Sequence, residues 1–394
     1  MSVASETKET AGASGKIQGS RIQSIDVARG LVMILMAVDH VRVYSGIPAG
    51  GATAGIFFTR WVTHFCAPGF AFLAGTSAFL YGRRLASKRG LARYLATRGI
   101  LLVALELTFL RFAWTFNLDY THFVLAGVIW MLGWCMVLLG GLVSLPTKAA
   151  GAIGLGIIFF QQIFSVLPRA LPEPARNSIG WIWEFIYPAA LKRPEGITIL
   201  YVLVPWVGVM AAGYAFGAIM TREPEERRQL CLKIGLAATF IFLTVGCLVL
   251  FLDPTQGDTR PFLFRLLDQK KYPASQLYLL MTLGPTIAFL GVAERARGWL
   301  VEISATFGRV PMFYYLLHIP TIHMAALLVM LAREGRIYAE WYATAPFTSV
   351  PPEHRWGLPL LYAVFAAVVS LLYFACRWFG GVKARHRDSL LRYI

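Results

Sequence analysis

The sequence predicts an all-α fold, a polytopic integral-membrane helical bundle of about ten transmembrane helices. Three observations predict it. Hydrophobic residues make up 57% of the 394 residues and charged ones only 15%, where soluble domains carry about a quarter charged, and the mean hydropathy is +0.59. The apolar runs are about 20 residues long, the length that crosses a bilayer as helix. The charges collect between these runs, where topology-setting residues sit. The net charge of +16 is therefore not a nucleic-acid footprint, which would need a basic helix with interleaved aromatics. A β-barrel would need segments of about ten residues with alternating polarity.

The first twenty residues, MSVASETKETAGASGKIQGS, are polar and lack the apolar core of a signal peptide, so 1–20 reads as a disordered cytoplasmic tail. Residues 21–392 then form one membrane domain. Its predicted spans are 24–46, 55–82, 92–113, 121–145, 148–168, 197–221, 229–251, 275–294, 307–332 and 357–378. Alternate connections, with the tail and the C-terminus, hold 21 Lys and Arg; the opposite loops, 169–196, 253–274 and 333–356, hold 11. This bias places both termini in the cytoplasm and the chain in the inner membrane as a multi-pass protein. The loops 169–196 and 253–274 mix charges with aromatics and read as amphipathic caps at the membrane surface. Cys66, Cys135, Cys231, Cys247 and Cys376 lie in or beside apolar runs without CxxC spacing, so they read as small core residues.

Ionisable residues inside a span are costly and by default mark function. The first span is the richest in them. Asp26, Arg29, Met33, Ala37 and His40 step by three or four and share a helical face. Arg29 and His40 are eleven residues apart, about three turns and roughly 16 Å. His64, His122, His318 and His323 fall at depths similar to His40 in other spans. Each either converges on one cavity or bridges helices through a hydrogen bond. His318 and His323 diverge by about 140°, so only one faces a shared site. No pair of His or carboxylate residues in the spans has the i, i+4 spacing of helical metal ligands, and no metal is expected. In the third span Arg98 sits near the cytoplasmic end, and Glu106 and Arg111 read as an ion pair between helices centred on Glu106 plus positive-inside anchoring. Lys271 and Tyr272 either line an acceptor mouth or form a snorkelling and aromatic-belt pair. Pro68, four residues after His64, loosens the backbone there.

Five segments carry a resemblance: RIQSIDVARGLVMILMAVDH, THFCAPGFAFLAGTSAFLYGRR, VPWVGVMAAGYAFG, KYPASQLYLLMTLGP and GRVPMFYYLLHIPTIH. In the same order they resemble the bacterial DUF1624 proteins, relatives of the catalytic domain of heparan-α-glucosaminide N-acetyltransferase within the wider set of transmembrane acyltransferases. The resemblance implies a multi-helix membrane enzyme that takes an acyl group from cytoplasmic acyl-CoA to an acceptor on the far side. The Arg-to-His spacing of Arg29 and His40 is also similar to that of the broader acyltransferase families, which implies a role for both. The loop 45–54, SGIPAGGATA, contains no histidine where the lysosomal enzyme has one.

From these residues, His40 is expected to act as general base or transient acyl carrier, since a neutral imidazole suits either task. Asp39 is the candidate to orient it and His64 the second polar wall. Arg29 and Arg98 are expected to bind the phosphates of acetyl-CoA, the acyl donor. The expected partners are the lipid bilayer, acyl-CoA and a glycan or envelope acceptor with a hydroxyl or amine. The alternative is a transporter or channel that uses the buried His, Arg and Asp as a proton or solute pathway. Against an inverted-repeat transporter, the sequence shows no internal repeat. A non-catalytic scaffold is the third reading.

Overall fold

The computed structural model describes residues 21–50, 53–191, 195–252 and 259–385. The tail 1–20, His386 and parts of the predicted loops (51–52, 192–194 and 253–258) lie outside the described residues. Helix makes up 75% of the fold. In chain order the helices begin with α1 (Gln23–Tyr44), α2 (Ala54–Trp61), α3 (Cys66–Gly82), α4 (Lys88–Leu105), α5 (Arg111–Thr115), α6 (Val128–Leu142), α7 (Thr147–Phe159) and α8 (Ile163–Val166). They continue with α9 (Glu173–Ile186), α10 (Trp206–Phe216), α11 (Pro224–Leu252), α12 (Phe262–Leu267), α13 (Gln276–Ala293), α14 (Trp299–Arg309), α15 (Pro311–Glu334) and α16 (Leu358–Arg385). Two short strands, β1 (Val124–Ala126) and β2 (Ile197–Ile199), pair in parallel, with Val124 opposite Ile197.

Among the described residues, five helices rather than ten are long and apolar enough to cross a membrane: Ala54–Gly82, α11, α13, α15 and α16. Helix α7 with Ile163–Ala170, bent by 62°, makes a sixth if the two are one span. The difference has physical causes. The predicted spans 121–145 and 197–221 each begin with a strand of the β1–β2 ladder, which leaves α6 with 15 residues and α10 with 11. At 1.5 Å per residue these reach about 22 and 16 Å, short of a core about 30 Å thick. The 22 residues of α1 are long enough, about 33 Å, but carry Asp26, Arg29, Asp39 and Arg42. The helix α14 fills most of the gap between the predicted spans 275–294 and 307–332 and takes the first residues of the second.

Helix α1 is central: 15 of its 22 residues are buried, and it packs on α3, α13, α14, α15 and α16. Its crossing with α14 depends on two glycines. A Cβ on Gly30 would sit 1.7 Å from the Ser304 carbonyl oxygen, and one on Gly308 1.9 Å from that of Asp26. The same device recurs where α3 meets α10 (Gly75 and Gly213) and where α11 meets α13 (Gly235 and Gly284). Small residues let membrane helices approach closely and gain dispersion and backbone contact, because lipid supplies no hydrophobic drive between helices. Both ends of α1 are also tied polar to polar. Ser24 donates to Glu294 at one end; at the other, the Tyr342 hydroxyl donates to the Tyr44 carbonyl (3.0 Å) and Thr348 to that of Val43 (3.0 Å).

Pro68 leaves a visible mark. A proline cannot donate to the carbonyl four residues earlier, here that of His64. The chain from Val62 to Phe65 is a 3-10 turn between α2 and α3, and the Tyr278 hydroxyl takes the freed His64 carbonyl at 2.7 Å. The ion pair between helices expected at Glu106 does not form among the described residues. Glu106 lies in a π-helical turn, Glu106–Leu110, with its carboxyl turned to the backbone at the start of α6 and its Oε2 buried without a partner. A carboxyl there lies beside the orphan donors of a helix N-terminus. Arg111 instead donates to the carbonyls of Phe123, Asn117 and Asp119 and so shapes the loop after α5. In that exposed loop, hydrogen bonds from Thr121 and then His122 hold the Asp119 carboxyl below the usual carboxylate range.

Candidate active site

A partly open cavity, about 310 Å³ with the solvent at its mouth included, lies beside the second half of α1. Met36, Asp39 and His40 of α1 form one wall, Thr63, Cys66, Ala67 and Phe70 another, and Val128, Tyr201 and Lys271 close it. Asp39 and His40 are half-buried, as residues facing such a space should be.

The His40 ring is fixed by hydrogen bonding. Its Nδ1 lies 2.8 Å from Nε2 of His318, and the two rings stack with centroids 4.9 Å apart. Nδ1 of His318 lies 2.7 Å from the Tyr315 carbonyl oxygen and 3.3 Å from that of Tyr314. A carbonyl only accepts, so His318 carries its proton on Nδ1 and, when neutral, offers the Nε2 lone pair. His40 must then donate from Nδ1. Its Nε2 is left as an unprotonated acceptor without a protein partner among the described residues. This is the protonation pattern of an oriented general base, with the orienting group on another helix. Trp114 meets the His40 ring edge-on at 4.8 Å between centroids and restricts it further.

The other expected site residues fall around this pair. The Asp39 carboxylate turns to Arg42 (3.0 Å) and Arg60 (3.1 Å) rather than to His40, so His318 occupies the orienting position that the sequence reading gave to Asp39. His64 is buried, with Nδ1 unpartnered, and does not line the cavity; its neighbours Thr63 and Cys66 supply that wall. As their angular separation requires, His318 and His323 part company. His323 donates from Nδ1 to the Ala113 carbonyl (3.1 Å) and stacks between Phe116 and Tyr44. Lys271 is only 8% exposed and faces the cavity, which the belt reading does not describe. Tyr272, at 38%, fits the belt.

At the other end of α1, Arg29 donates to Ser77 (2.6 Å) and the Gly308 carbonyl (3.2 Å) and lies 3.6 Å from Asp26. Arg98 donates to the Tyr94 hydroxyl (2.8 Å). Lys383 is within electrostatic reach of Arg21, Arg29 and Arg98, and Arg29 of Arg21 and Arg98; Asp26, the carboxylate among them, accepts two hydrogen bonds from Arg21. Arg21 and Lys383 were legible in the sequence only as topology charges, because their approach to Arg29 depends on the tertiary packing of α16 and the start of α1.

Fold and site together define a helical membrane protein with a hydrogen-bonded histidine pair at one end of its central helix and a group of cations at the other. Residues 21–252 match the family model described as heparan-alpha-glucosaminide N-acetyltransferase, catalytic, so the chain belongs to this family of membrane acetyltransferases. A search of curated proteins finds no match. The family match ends before Lys271, Tyr315 and His318, which the fold nonetheless brings to His40 and its cavity.

Proposed function

We propose that this protein transfers an acyl group, acetyl by its family, from cytoplasmic acetyl-CoA to a hydroxyl or amine of a glycan or envelope precursor on the outer side of the inner membrane. The observation that carries the reading is the chain Tyr315 carbonyl, His318, His40, which ends on a free Nε2 at a cavity. Nε2 takes the proton of the acceptor nucleophile as it attacks the thioester carbonyl carbon. The tetrahedral intermediate then collapses, the carbon–sulfur bond breaks, and the thiolate of CoA leaves with the proton returned from His40. General-base help of this kind is worth about 10²–10⁴-fold.

Arg29 and Arg98, joined by Arg21 and Lys383, supply the cations for the donor's phosphates, which are recognised by charge-assisted hydrogen bonds. The two ends of the site are about 16 Å apart along α1, a span suited to an extended pantetheine arm. The test is reconstitution of the full chain with radiolabelled acetyl-CoA and an envelope extract. Label is expected in the extract and not on the protein; stable label on the protein would point to an acyl-enzyme. An absence of label in both, with solute flux across the vesicles, would replace this reading by transport.

A further inference from the structure

Lys271 is the cavity's unpaired cation. As a residue it is 8% exposed, with its side chain lining the cavity, and it sits on the tight turn that precedes α13, where Lys271 bridges Ala274 and the Ser275 N–H bonds to the Lys270 carbonyl (2.9 Å). Its Nζ lies 5.2 Å from the Tyr272 ring centroid and 5.9 Å from that of Tyr201. Among the described residues no carboxylate pairs with it. Asp39, the carboxylate lining the cavity, is already shared by Arg42 and Arg60. Burying an ammonium costs several kcal/mol, and cation–π contacts return about 0.5–2. A cation held this way is poised for negative charge that arrives with a ligand.

The cavity also has two characters. Met36, Ala67, Phe70 and Val128 offer an apolar wall that fits a methyl group, while His40 and Lys271 offer a base and a fixed cation. We infer that Lys271 is a catalytic residue of the acyl transfer: its ammonium receives the thioester carbonyl oxygen of the acetyl group and stabilises it as an oxyanion. This rests on the acyltransfer reading above. As the nucleophile adds to the carbonyl carbon and His40 takes its proton, the carbonyl π pair moves onto oxygen beside Lys271. On collapse that pair re-forms the carbonyl and the thiolate departs. Charge develops there only in the transition state, so stabilising it raises kcat and leaves ground-state binding alone.

The experiment compares wild type, Lys271→Met, Lys271→Arg and His40→Ala as full chains in nanodiscs, with radiolabelled acetyl-CoA and an envelope extract. Loss of one oxyanion donor costs about 10²–10³-fold. Lys271→Met is expected to lose that much in maximal transfer rate, with the KM for acetyl-CoA unchanged and the thermal unfolding midpoint not lowered, and Lys271→Arg to recover part of the rate. If Lys271→Met does not accumulate, Lys271→Gln is read in the same way. Transfer by Lys271→Met within about threefold of wild type overturns the inference. So does a loss that disappears as extract concentration is raised, which would make Lys271 a binding group for an acidic acceptor. Silence of the wild type would overturn the acyltransfer reading itself. Activity abolished by His40→Ala but retained by Lys271→Met would overturn this inference alone.

Discussion

His40 takes its orientation from a residue 278 positions away in the chain. Because His318 accepts from the Nδ1–H of His40 at Nε2 and donates its own Nδ1–H to the Tyr315 carbonyl, the tautomer of His40 is set from α15. His318→Ala removes the acceptor and frees the His40 ring to exchange tautomers. The maximal rate of acetyl transfer is expected to fall by about 10²-fold with the KM for acetyl-CoA unchanged, since general-base catalysis as a whole supplies about 10²–10⁴. His318→Gln, which keeps an acceptor, should recover part of it; equal rates for wild type and His318→Ala would remove His318 from the proton path. The sequence shows that His318 and His323 cannot share a face. It does not show which of them meets His40, because that depends on how α15 is rotated against α1. Asp39 is the candidate orienting group in the sequence because it adjoins His40, yet adjacent residues on a helix diverge by about 100°. Arg60, on a different helix, claims its carboxylate.

Helix contacts obey the same economy of space. Gly30 and Gly308 let the backbones of α1 and α14 touch, so Gly308→Val must push them apart. Overpacking typically costs about 1–3 kcal/mol, and here the obstacle is backbone, so a thermal unfolding midpoint lowered by several degrees is expected, with activity falling alongside as α1 shifts. An unchanged midpoint would show that α14 is free to move. The apolar runs that became full-length helices were legible from length and hydropathy, as in α11, α13, α15 and α16. Shorter ones were not, because Val124–Ala126 and Ile197–Ile199 are apolar enough to extend a helical run and instead pair as strands. Helix α14 went unread because its polar positions, Glu302 and Arg309 among them, interrupt the apolar pattern. The role of Pro68 was half legible: the missing donor could be read, whereas Tyr278 as the group that satisfies the His64 carbonyl could not. Tyr278→Phe should leave that carbonyl bare and lower stability by about 1–3 kcal/mol, measured by chemical or thermal unfolding in detergent.

Across the whole molecule, α1 joins two differently charged ends, a cluster of Arg21, Arg29, Arg98 and Lys383 and a cavity with the histidine pair. If the first holds the phosphates of the donor, Arg98→Gln and Lys383→Gln should each raise the KM for acetyl-CoA about tenfold, the worth of one hydrogen bond to a charged group, and leave the maximal rate near that of wild type. A fall in rate at unchanged KM would place the donor elsewhere. The most direct measurement is transfer of radiolabelled acetyl from acetyl-CoA to an envelope extract by reconstituted wild type and by His40→Ala of matched folding and abundance. Transfer by the wild type and a loss of at least about 10²-fold in the variant are expected; transfer by His40→Ala at the wild-type rate would contradict His40 as the base.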